Sequence, residues 1–355
     1  MAKILYGVHG TSHGHAVRAV TLARHFREHE FLFVTSEDAL RHLSREFPVI
    51  EVLNPGTRYK NYQVDMPATL ALAAKTLARR ERQIRKVAAA VEDFKPDACI
   101  SDYEYFVPLA ARRCGLSCLS LDHQHVITGC RHDIPAGQYL DYLGIAASIK
   151  FLFSAAPDTL IISFFRPPLK SAARTRICAP LHRESVFEHA PAKGGHILVY
   201  QSCSVCDAFA PFLKTSGREC RIYGYNVDKT EGNLTFRSYS EQGLLADLAS
   251  CAYVVCGGSH SLISEALYYG KPVMSFPVKG AFEQWINASY VEKLGYGRHL
   301  DMHALDARLF PGFEERLGEY EKNVAAGEFR GNETVYGIVE QFVKRGRLEQ
   351  DNPDG

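Results

Sequence analysis

The 355-residue sequence lacks any uninterrupted apolar run of about 18 residues, the length that a membrane-spanning helix requires. The sequence also has no excess of positive or negative charge, because 41 Lys and Arg residues and 40 Asp and Glu residues leave a net charge of +1. This balance gives no overall attraction to polyanions, so we expect no nucleic-acid partner. Contact with an anionic surface would have to come from a local basic patch.

A disulfide framework is also not indicated, although ten cysteines are present. Most of them lie in or beside apolar runs, where a reduced cysteine behaves as a small hydrophobic residue. Cys203 and Cys206 have C-x-x-C spacing, and no second C-x-x-C pair accompanies them to complete a zinc site. The sequence begins almost directly with a predicted strand and shows no signal-peptide pattern. We therefore expect a cytoplasmic protein with reduced thiols.

Short β-branched runs alternate with longer helical patterns along the whole sequence, which predicts parallel strands joined by helices. A stretch with little periodicity begins at Arg166 and contains Pro180. We therefore predict two doubly wound, Rossmann-like α/β domains, residues 1–183 and 184–345, and a flexible tail, 346–355. Ligands of such sheets bind at the carboxyl ends of the strands, so we expect the domains to face a central cleft.

Residues 254–272, VVCGGSHSLISEALYYGKP, carry the strongest functional signal. They predict a buried strand, a Gly-Gly-Ser turn, a helix that begins on this turn and a Gly-x-Pro stop. The first N–H groups of such a helix point at whatever lies above them, which suits a diphosphate. Glu265 lies about two turns into this helix, where its carboxylate could bind two neighbouring hydroxyls. The segment thus matches both ends of a nucleoside diphosphate.

A glycine-rich turn, residues 7–15, follows the first predicted strand and opens a helix near His15. A dinucleotide-binding turn is an alternative, but three histidines crowd this turn, and the acids Glu37 and Asp38 come late after the second strand. A histidine at the start of the helix is better suited to removing a proton from a substrate. Asp102 ends another predicted strand, where it either orients this histidine or caps the next helix.

A third polar segment, Asp122–His125, also follows a predicted strand and is typical of a substrate-contact loop. A plain polar loop and a metal-binding His-x-His remain alternatives. The sequence contains no Asp-x-Asp element, which would hold a metal ion on a sugar-linked diphosphate. A helix N-terminus with Ser and His donors can instead neutralise a leaving diphosphate. We therefore expect no metal and no cofactor.

Together these segments resemble the GT-B nucleotide-sugar glycosyltransferases. They are similar to the N-acetylglucosaminyltransferase that completes the peptidoglycan lipid precursor and to the UDP-glycosyltransferases, including a poorly characterised prokaryotic branch of the group. The motifs Ser101–Glu104, Asp122–His125 and Gly257–Leu267 carry the resemblance, which extends over about residues 1–345. It implies the GT-B fold and a UDP-sugar as substrate.

The resemblance also implies roles for individual residues. His15 matches the catalytic base of the inverting members and Asp102 its orienting partner, whereas Glu265 matches the acid that binds the ribose hydroxyls. The expected donor-binding residues are Ser202, Phe236, Ser238, Gly257, Gly258, Ser259, His260, Ser261, Glu265, Glu283, Gln284 and Asn287. The expected acceptor-binding residues are His13, Gly14, Asp122, His123, Gln124 and His125.

The sequence therefore predicts an inverting, metal-independent glycosyltransferase that moves a sugar from a UDP-sugar to an acceptor hydroxyl. A GT-B-fold sugar-nucleotide epimerase or hydrolase and a non-catalytic nucleotide-sugar-binding protein are the alternatives. The acceptor is expected to be a lipid or a glycan. The basic run Arg79–Lys86 and the apolar segment Tyr139–Phe153 favour peripheral contact with the inner membrane, although Glu81 interrupts the run. We expect a monomer or a weak dimer.

Overall fold

A computed structural model describes residues 1–11, 13–201 and 208–349, apart from the side chain of His13. The chain divides into two compact units. The first unit consists of Met1–Arg58, Met66–Arg183 and the described part of Gly331–Gly355, and the second consists of Tyr59–Asp65 and Glu184–Arg330. No helix in the described parts of the chain combines the length and the apolarity needed to cross a membrane.

The described elements alternate between strands and helices along much of the chain. The strands are β1 (Lys3–Val8), β2 (Glu30–Thr35), β3 (Val49–Glu51), β4 (Tyr59–Lys60), β5 (Gln63–Val64), β6 (Ala98–Asp102), β7 (Cys118–Asp122), β8 (Asp158–Ile162), β9 (Thr175–Cys178), β10 (Ile197–Tyr200), β11 (Cys220–Tyr223), β12 (Lys229–Glu231), β13 (Leu234–Phe236), β14 (Tyr253–Cys256), β15 (Val273–Ser275) and β16 (Gly297–His299). The α-helices are α1 (His13–His25), α2 (Glu37–Leu43), α3 (Met66–Ala78), α4 (Arg80–Phe94), α5 (Phe106–Arg113), α6 (His125–Gly129), α7 (Tyr139–Ser148), α8 (Phe209–Lys214), α9 (Glu241–Ser250), α10 (His260–Tyr268), α11 (Phe282–Lys293), α12 (Leu309–Glu314), α13 (Leu317–Ala325) and α14 (Asn332–Arg345). A π-helical turn, Ile149–Phe153, continues α7.

The first unit is built on a parallel sheet with the strand order β3-β2-β1-β6-β7-β8-β9. The order reverses between β1 and β6, where Val8 pairs with Asp102 at the carboxyl ends of both strands. A crevice opens at such a reversal in doubly wound sheets, because the helices that follow the two strands lie on opposite faces. The fold therefore brings the turn after β1 and the end of β6 together.

The second unit repeats this scheme with the strand order β12-β13-β11-β10-β14-β15-β16. Only the short edge strand β12 runs antiparallel to its neighbour among these pairs. The order reverses between β10 and β14, where Tyr200 pairs with Cys256. The Gly-Gly-Ser turn after β14 therefore lies at the reversal point of the second sheet.

The last helix, α14, packs on the first unit rather than on the second. Its apolar residues Val335, Val339 and Phe342 are fully buried in the same core as β1 and α1. At its start, Asn332 exchanges hydrogen bonds with the backbone of His182, at 3.1 and 2.8 Å. The boundary drawn from the sequence assigned these residues to the second domain. It differs from the structure because periodicity reveals the apolar face of a helix but not the sheet that it covers.

A short hairpin departs from the predicted division in the opposite way. Strands β4 and β5 pair with each other, and Val64 N donates to Lys279 O at 3.1 Å. Tyr62 is buried in the core of the second unit. Residues 59–65 therefore belong with the second unit, although they lie between segments of the first along the chain.

Candidate functional site

A buried histidine and a buried aspartate meet at the reversal point of the first sheet. His15 is on the first turn of α1, and its Nδ1 lies 2.7 Å from Oδ1 of Asp102, the last residue of β6. The side chain of Asp102 is completely buried, and His15 is 7% exposed. The two residues that the sequence paired across 87 positions are therefore in direct contact.

Arg18 completes this cluster and is not among the residues that the sequence predicted. Its Nε donates to Asp102 Oδ2 at 2.8 Å and its Nη2 to Oδ1 at 2.7 Å, in the bidentate geometry of an arginine–carboxylate pair. Nη2 also lies 3.0 Å from His15 Nδ1. Arg18 follows His15 by three residues, a spacing that places both on one face of α1. This spacing is the sequence signal that could have revealed Arg18 as a neighbour of His15.

The negative charge of Asp102 is compensated by the positive charge of Arg18. Burial disfavours the charged form of Asp102, but Arg18 and His15 outweigh burial and lower the pKa of this carboxyl group. An ionised carboxylate can only accept hydrogen bonds, so the contact with Asp102 favours the proton on His15 Nδ1, and in the neutral ring the lone pair is then on the other nitrogen, Nε2. Gln124 Nε2 lies 3.4 Å from His15 Nε2, on the side where an amide N–H can donate to this lone pair. The arrangement is that of a histidine held with Nε2 as its basic nitrogen.

Asp102 does not take the alternative role of a helix cap. Helix α5 begins at Phe106, and the carboxylate of Glu104 accepts from the backbone N–H groups of Phe106 and Val107, at 2.9 and 2.6 Å. Glu104 is completely buried, and burial raises its pKa to about 7, more than these donors lower it. Glu104 therefore takes the capping position, which leaves Asp102 to His15 and Arg18.

A second histidine lies close to His15. The ring centroids of His9 and His15 are 5.2 Å apart, and His9 Nδ1 lies 3.1 Å from the carbonyl oxygen of Tyr103. Burial, together with the neighbouring His15, lowers the pKa of His9 to about 3. His9 is therefore neutral at physiological pH and adds no positive charge beside His15. Tyr103 itself has a φ of 52°, a conformation that is uncommon for a bulky residue and frequent at functional turns.

The polar segment after β7 forms a second carboxylate–histidine pair. Asp122 Oδ2 lies 2.7 Å from His125 Nδ1, and Ser120 donates to the same oxygen at 2.6 Å. Asp122 is completely buried, and burial opposes its charge, but His125 and Ser120 outweigh burial and lower its pKa to about 2. His123 turns elsewhere, with Nδ1 3.0 Å from Ile162 O. The two histidines of the His-x-His motif thus contact different groups.

The structure brings the other acceptor residues to this region only in part. Gln124 reaches His15, as described above, and Gly14 is partly exposed within α1. His13 begins α1, and its side chain lies outside the described structure. Among the described residues, no group of His, Cys, Asp and Glu side chains is arranged to hold a metal ion.

The structure of the turn after β1 does not favour the alternative of a dinucleotide-binding site. A Cβ on Gly10 would lie 1.9 Å from Ser36 Oγ, so Gly10 is needed for packing against the start of α2. Glu37, the acid closest to the end of β2, forms a two-pronged ion pair with Arg58. The backbone of Glu37 has a left-handed φ of 50° at this position. Glu37 therefore serves the packing of the first unit rather than a ribose.

In the second unit, the turn after β14 is locked against α11. A Cβ on Gly258 would lie 2.3 Å from the backbone oxygen of Gln284, so only glycine permits this approach. Gln284 Oε1 accepts from Gly258 N at 3.3 Å and from Val278 N at 3.0 Å. Asn287 Nδ2 donates to Gly258 O at 2.9 Å. Three expected donor residues are thus joined directly, and Gln284 can offer a ligand only its Nε2 donor group.

Helix α10 begins directly after this turn. Ser259 is its exposed N-terminal flanking residue, Ser261 is partly exposed, and His260 Nε2 lies 3.3 Å from Ser264 Oγ. The first N–H groups of a helix have no acceptor within the helix and favour an anion. Glu265 is 7% exposed and lies about 1.4 turns after His260, somewhat earlier in the helix than the two turns expected. Glu283, at the start of α11, is partly exposed.

Two of the expected donor-binding residues border an open depression of about 520 Å³ in the second unit. Phe236 and Ser238 line it with Tyr223 and Arg237. Asp228 fixes the loop by accepting from Ser238 N at 2.8 Å and Ser238 Oγ at 2.6 Å. Ser202, expected as a further phosphate contact, lies outside the described residues, as do Cys203 and Cys206.

Comparison with known proteins identifies the family. The Glycosyl transferase family 1 profile matches residues 2–318. The chain belongs to this family. An uncharacterised glycosyltransferase of Methanosarcina mazei is 23% identical over 339 residues, which cover 84% of this chain and 86% of that protein. One of Methanosarcina acetivorans is 35% identical over 97 residues, which cover 25% of this chain and only 26% of that protein.

Solved structures show the same fold at low sequence identity. Phytolacca americana UGT2, complexed with UDP-2fluoro-glucose and pterostilbene, has a TM-score of 0.65 at 12% identity, with 97% of this chain and 100% of that chain covered. The Acinetobacter baumannii MurG structure has a TM-score of 0.63 at 14% identity, over 96% and 100%. Streptomyces sp. SF2575 SsfS6, complexed with thymidine diphosphate, has a TM-score of 0.60 at 18% identity, over 96% and 100%. The GT-B fold expected from the sequence is confirmed.

Proposed function

We propose that this protein is an inverting, metal-independent glycosyltransferase that moves a sugar from a UDP-sugar to an acceptor hydroxyl. The contact of 2.7 Å between His15 and Asp102 carries the proposal, because a pure binding protein has no use for an oriented base. Membership of Glycosyl transferase family 1 supports transfer of a sugar as the overall reaction.

Proton transfer is assigned to His15 in the first unit. Nδ1 is held by Asp102, so Nε2 takes the proton from the acceptor hydroxyl as the oxygen attacks the anomeric carbon. Asp102 stabilises the imidazolium that forms, and Arg18 keeps Asp102 ionised throughout. Attack on the face opposite the leaving diphosphate inverts the anomeric configuration.

Donor binding is assigned to the second unit. The start of α10 neutralises the diphosphate, and Glu265 binds the ribose hydroxyls. Gln284 presents Nε2 to the donor sugar because its Oε1 is bound to two backbone N–H groups. The depression beside Phe236 takes the base. Complexes of structural neighbours with a UDP-sugar analogue and with thymidine diphosphate support a pyrimidine nucleotide.

The acceptor is assigned to a membrane lipid or lipid-linked glycan because of one exposed apolar surface of the first unit. Helix α7 buries none of its residues, and Leu140 is 82% exposed. Phe151, in the adjoining π-turn, is 78% exposed. Exposed large apolar side chains of this kind insert into the interface of a lipid bilayer. The basic run Arg79–Lys86, which the sequence also favoured for membrane contact, is instead a solvated face at the start of α4. Glu81 within this run is paired with Arg113 and Arg85.

Calorimetric titration tests the donor assignment. The protein should bind UDP and at least one UDP-sugar equally well with EDTA and with Mg²⁺, and bind thymidine diphosphate more weakly. Absence of binding to all these nucleotides would refute the donor assignment. NMR spectroscopy of the product should show the anomeric configuration opposite to that of the donor, and retention would refute inversion. UDP release without any acceptor would favour an epimerase or a hydrolase instead.

A further inference from the structure

The hairpin of β4 and β5 carries a tyrosine into the interior of the second unit, directly beneath the turn after β14. We propose that Tyr62 is a positioning residue for the donor sugar, which acts by fixing the carbonyl of Phe276 and, through it, the turn that holds Gln284. This inference deepens the proposed function and rests on its assignment of the donor site. Neither the sequence motifs nor the family resemblance points to this residue.

The backbone of the hairpin is unusual at this position. Asn61 and Tyr62 have φ angles of 50° and 56°, the left-handed values that a two-residue type I′ turn requires at both central positions. Asn tolerates this conformation, whereas a bulky aromatic residue rarely adopts it. Such a conformation persists where the surrounding structure over-determines it. The contacts of the Tyr62 side chain provide that surrounding structure.

Tyr62 is 3% exposed and belongs to the apolar core that contains Phe276, Val278 and Ala281. Its hydroxyl donates to the carbonyl oxygen of Phe276. Its own carbonyl accepts from Lys279 N at 3.3 Å. Tyr62 thus holds both ends of the short segment 276–279, which connects β15 to the loop before α11.

This segment touches the donor turn. The Cβ position of Gly257 lies 3.3 Å from Gln284 Oε1, 3.8 Å from Phe276 O and 3.9 Å from the Tyr62 hydroxyl. The same Gln284 oxygen accepts from Gly258 N and, at 3.0 Å, from Val278 N. Tyr62, the segment after β15 and Gln284 therefore meet at one side of the turn. A shift of Phe276 or Val278 would therefore move the side-chain amide of Gln284, which we assign to binding of the donor sugar.

Removal of the Tyr62 hydroxyl leaves the buried carbonyl of Phe276 without its side-chain donor, while the aromatic ring keeps its packing. The segment after β15 then loses one of its three hydrogen bonds to the hairpin, the one at Phe276, and Gln284 loses part of its fixed orientation. Proton transfer at His15 does not depend on these atoms. The effect should therefore fall on recognition of the donor sugar rather than on turnover.

The test is Tyr62→Phe, compared with Tyr59→Phe in the same hairpin, where Tyr59 is 47% exposed. Tyr62→Phe should raise the Kd and KM of the UDP-sugar about tenfold, the usual effect of one buried hydrogen bond, with kcat and its pH profile unchanged. The Kd of UDP, which has no sugar, should change much less. Tyr59→Phe should change none of these values.

Two outcomes overturn the proposal: an unchanged Kd of the UDP-sugar in Tyr62→Phe with only a lower melting temperature, or a loss of kcat at constant KM. If the wild-type protein binds no nucleotide, the proposed function fails, and hydrogen–deuterium exchange decides the positioning role separately. Faster exchange of the amides of Gly258 and Val278 in Tyr62→Phe than in Tyr59→Phe then supports it, and equal exchange refutes it.

Discussion

Arg18 Nη2 lies 2.7 Å from Asp102 Oδ1, the oxygen that His15 Nδ1 also contacts. A completely buried carboxylate thus has a permanent positive partner on one side and a proton-accepting ring on the other. Breaking a buried ion pair by removing one partner is strongly destabilising, because the remaining charge is left without compensation.

The first prediction concerns this buried ion pair. Arg18→Met should lower the free energy of unfolding by about 3 to 5 kcal/mol, measured by urea denaturation at neutral pH. Arg18→Met combined with Asp102→Asn should recover a large part of the loss, since the uncompensated charge is gone. Arg24→Met is the control on the same helix, because its ion pair with Glu46 is exposed and should contribute at most about 1 kcal/mol. Equal losses at both positions would contradict the prediction.

The second prediction separates chemistry from binding. His15→Ala should lower turnover by about 10² to 10⁴ and leave the Kd of UDP unchanged, because the proposed base acts only on the acceptor hydroxyl. Asp102→Asn should also lower turnover, since the ring of His15 loses its orienting acceptor. Turnover is measured by release of UDP in the presence of acceptor. His303→Ala, at an exposed histidine, serves as the control.

The third prediction concerns the ribose. Glu265→Ala should weaken binding of UDP by about 30-fold to about 700-fold, which corresponds to roughly 2 to 4 kcal/mol for two charge-assisted hydrogen bonds. Glu265→Gln should fall between the wild type and the alanine variant. Glu315→Ala is a control on an exposed glutamate of the same unit. A Kd of UDP that stays within a factor of two in Glu265→Ala would contradict the assignment.

The fourth prediction uses the raised pKa of Glu104, about 7 compared with an ordinary value of 4.5. The folded protein holds a proton that the unfolded chain releases, so the contribution of Glu104 to stability is present below about pH 4.5 and is lost as the pH rises through 7. Glu104→Gln cannot titrate. Its free energy of unfolding relative to the wild type should therefore increase by about 3 kcal/mol between pH 4.5 and pH 8, measured by urea denaturation. A constant difference would contradict the prediction.

The fifth prediction concerns the exposed surface of α7. The protein should float with vesicles that contain anionic lipids, and Leu140→Asp combined with Phe151→Asp should abolish flotation, because both large side chains are exposed. Charge reversal of Arg79, Arg82 and Arg85 should weaken flotation only at low salt. Flotation that survives the double Asp variant would remove the basis for a lipid acceptor at α7.

The regular part of the fold was predictable because fully buried parallel strands are short apolar runs between helical patterns. The apolar runs at residues 4–8, 98–101, 118–121, 197–200 and 253–256 predict strands, and β1, β6, β7, β10 and β14 match these runs within a residue at either end. The hairpin 59–64 was not predictable, since its strands have only two residues each and are exposed except for the partly buried Val64, so that they resemble a loop. Tyr62 is fixed by residues more than 200 positions away, and no local pattern records such a contact.

The candidate site was predictable where a residue type sits at the end of a strand. His15 and Asp102 could be paired because each was expected just after or at the carboxyl end of a predicted strand. The structure adds that these two strands, β1 and β6, are neighbours in the sheet. Arg18 was missed because arginine on a helix is ordinarily solvated, and its burial depends on Asp102. Glu104 was missed as a cap for a similar reason, since a glutamate in a loop is ordinarily solvated and its burial depends on the hydrogen bonds that it accepts at the start of α5.

Because α14 supplies Val335, Val339 and Phe342 to the core of the first unit, the order of synthesis and the order of folding differ. On the ribosome, the strands of the first sheet emerge long before α14, the helix that packs against them. The apolar surface that α14 covers therefore stays exposed while residues 184–330 of the second unit are synthesised. The nascent chain has a long interval of exposure to chaperones and to aggregation. A gene fragment that ends at residue 183 should for the same reason yield an insoluble product, whereas joining residues 331–349 to that fragment through a flexible linker should restore solubility.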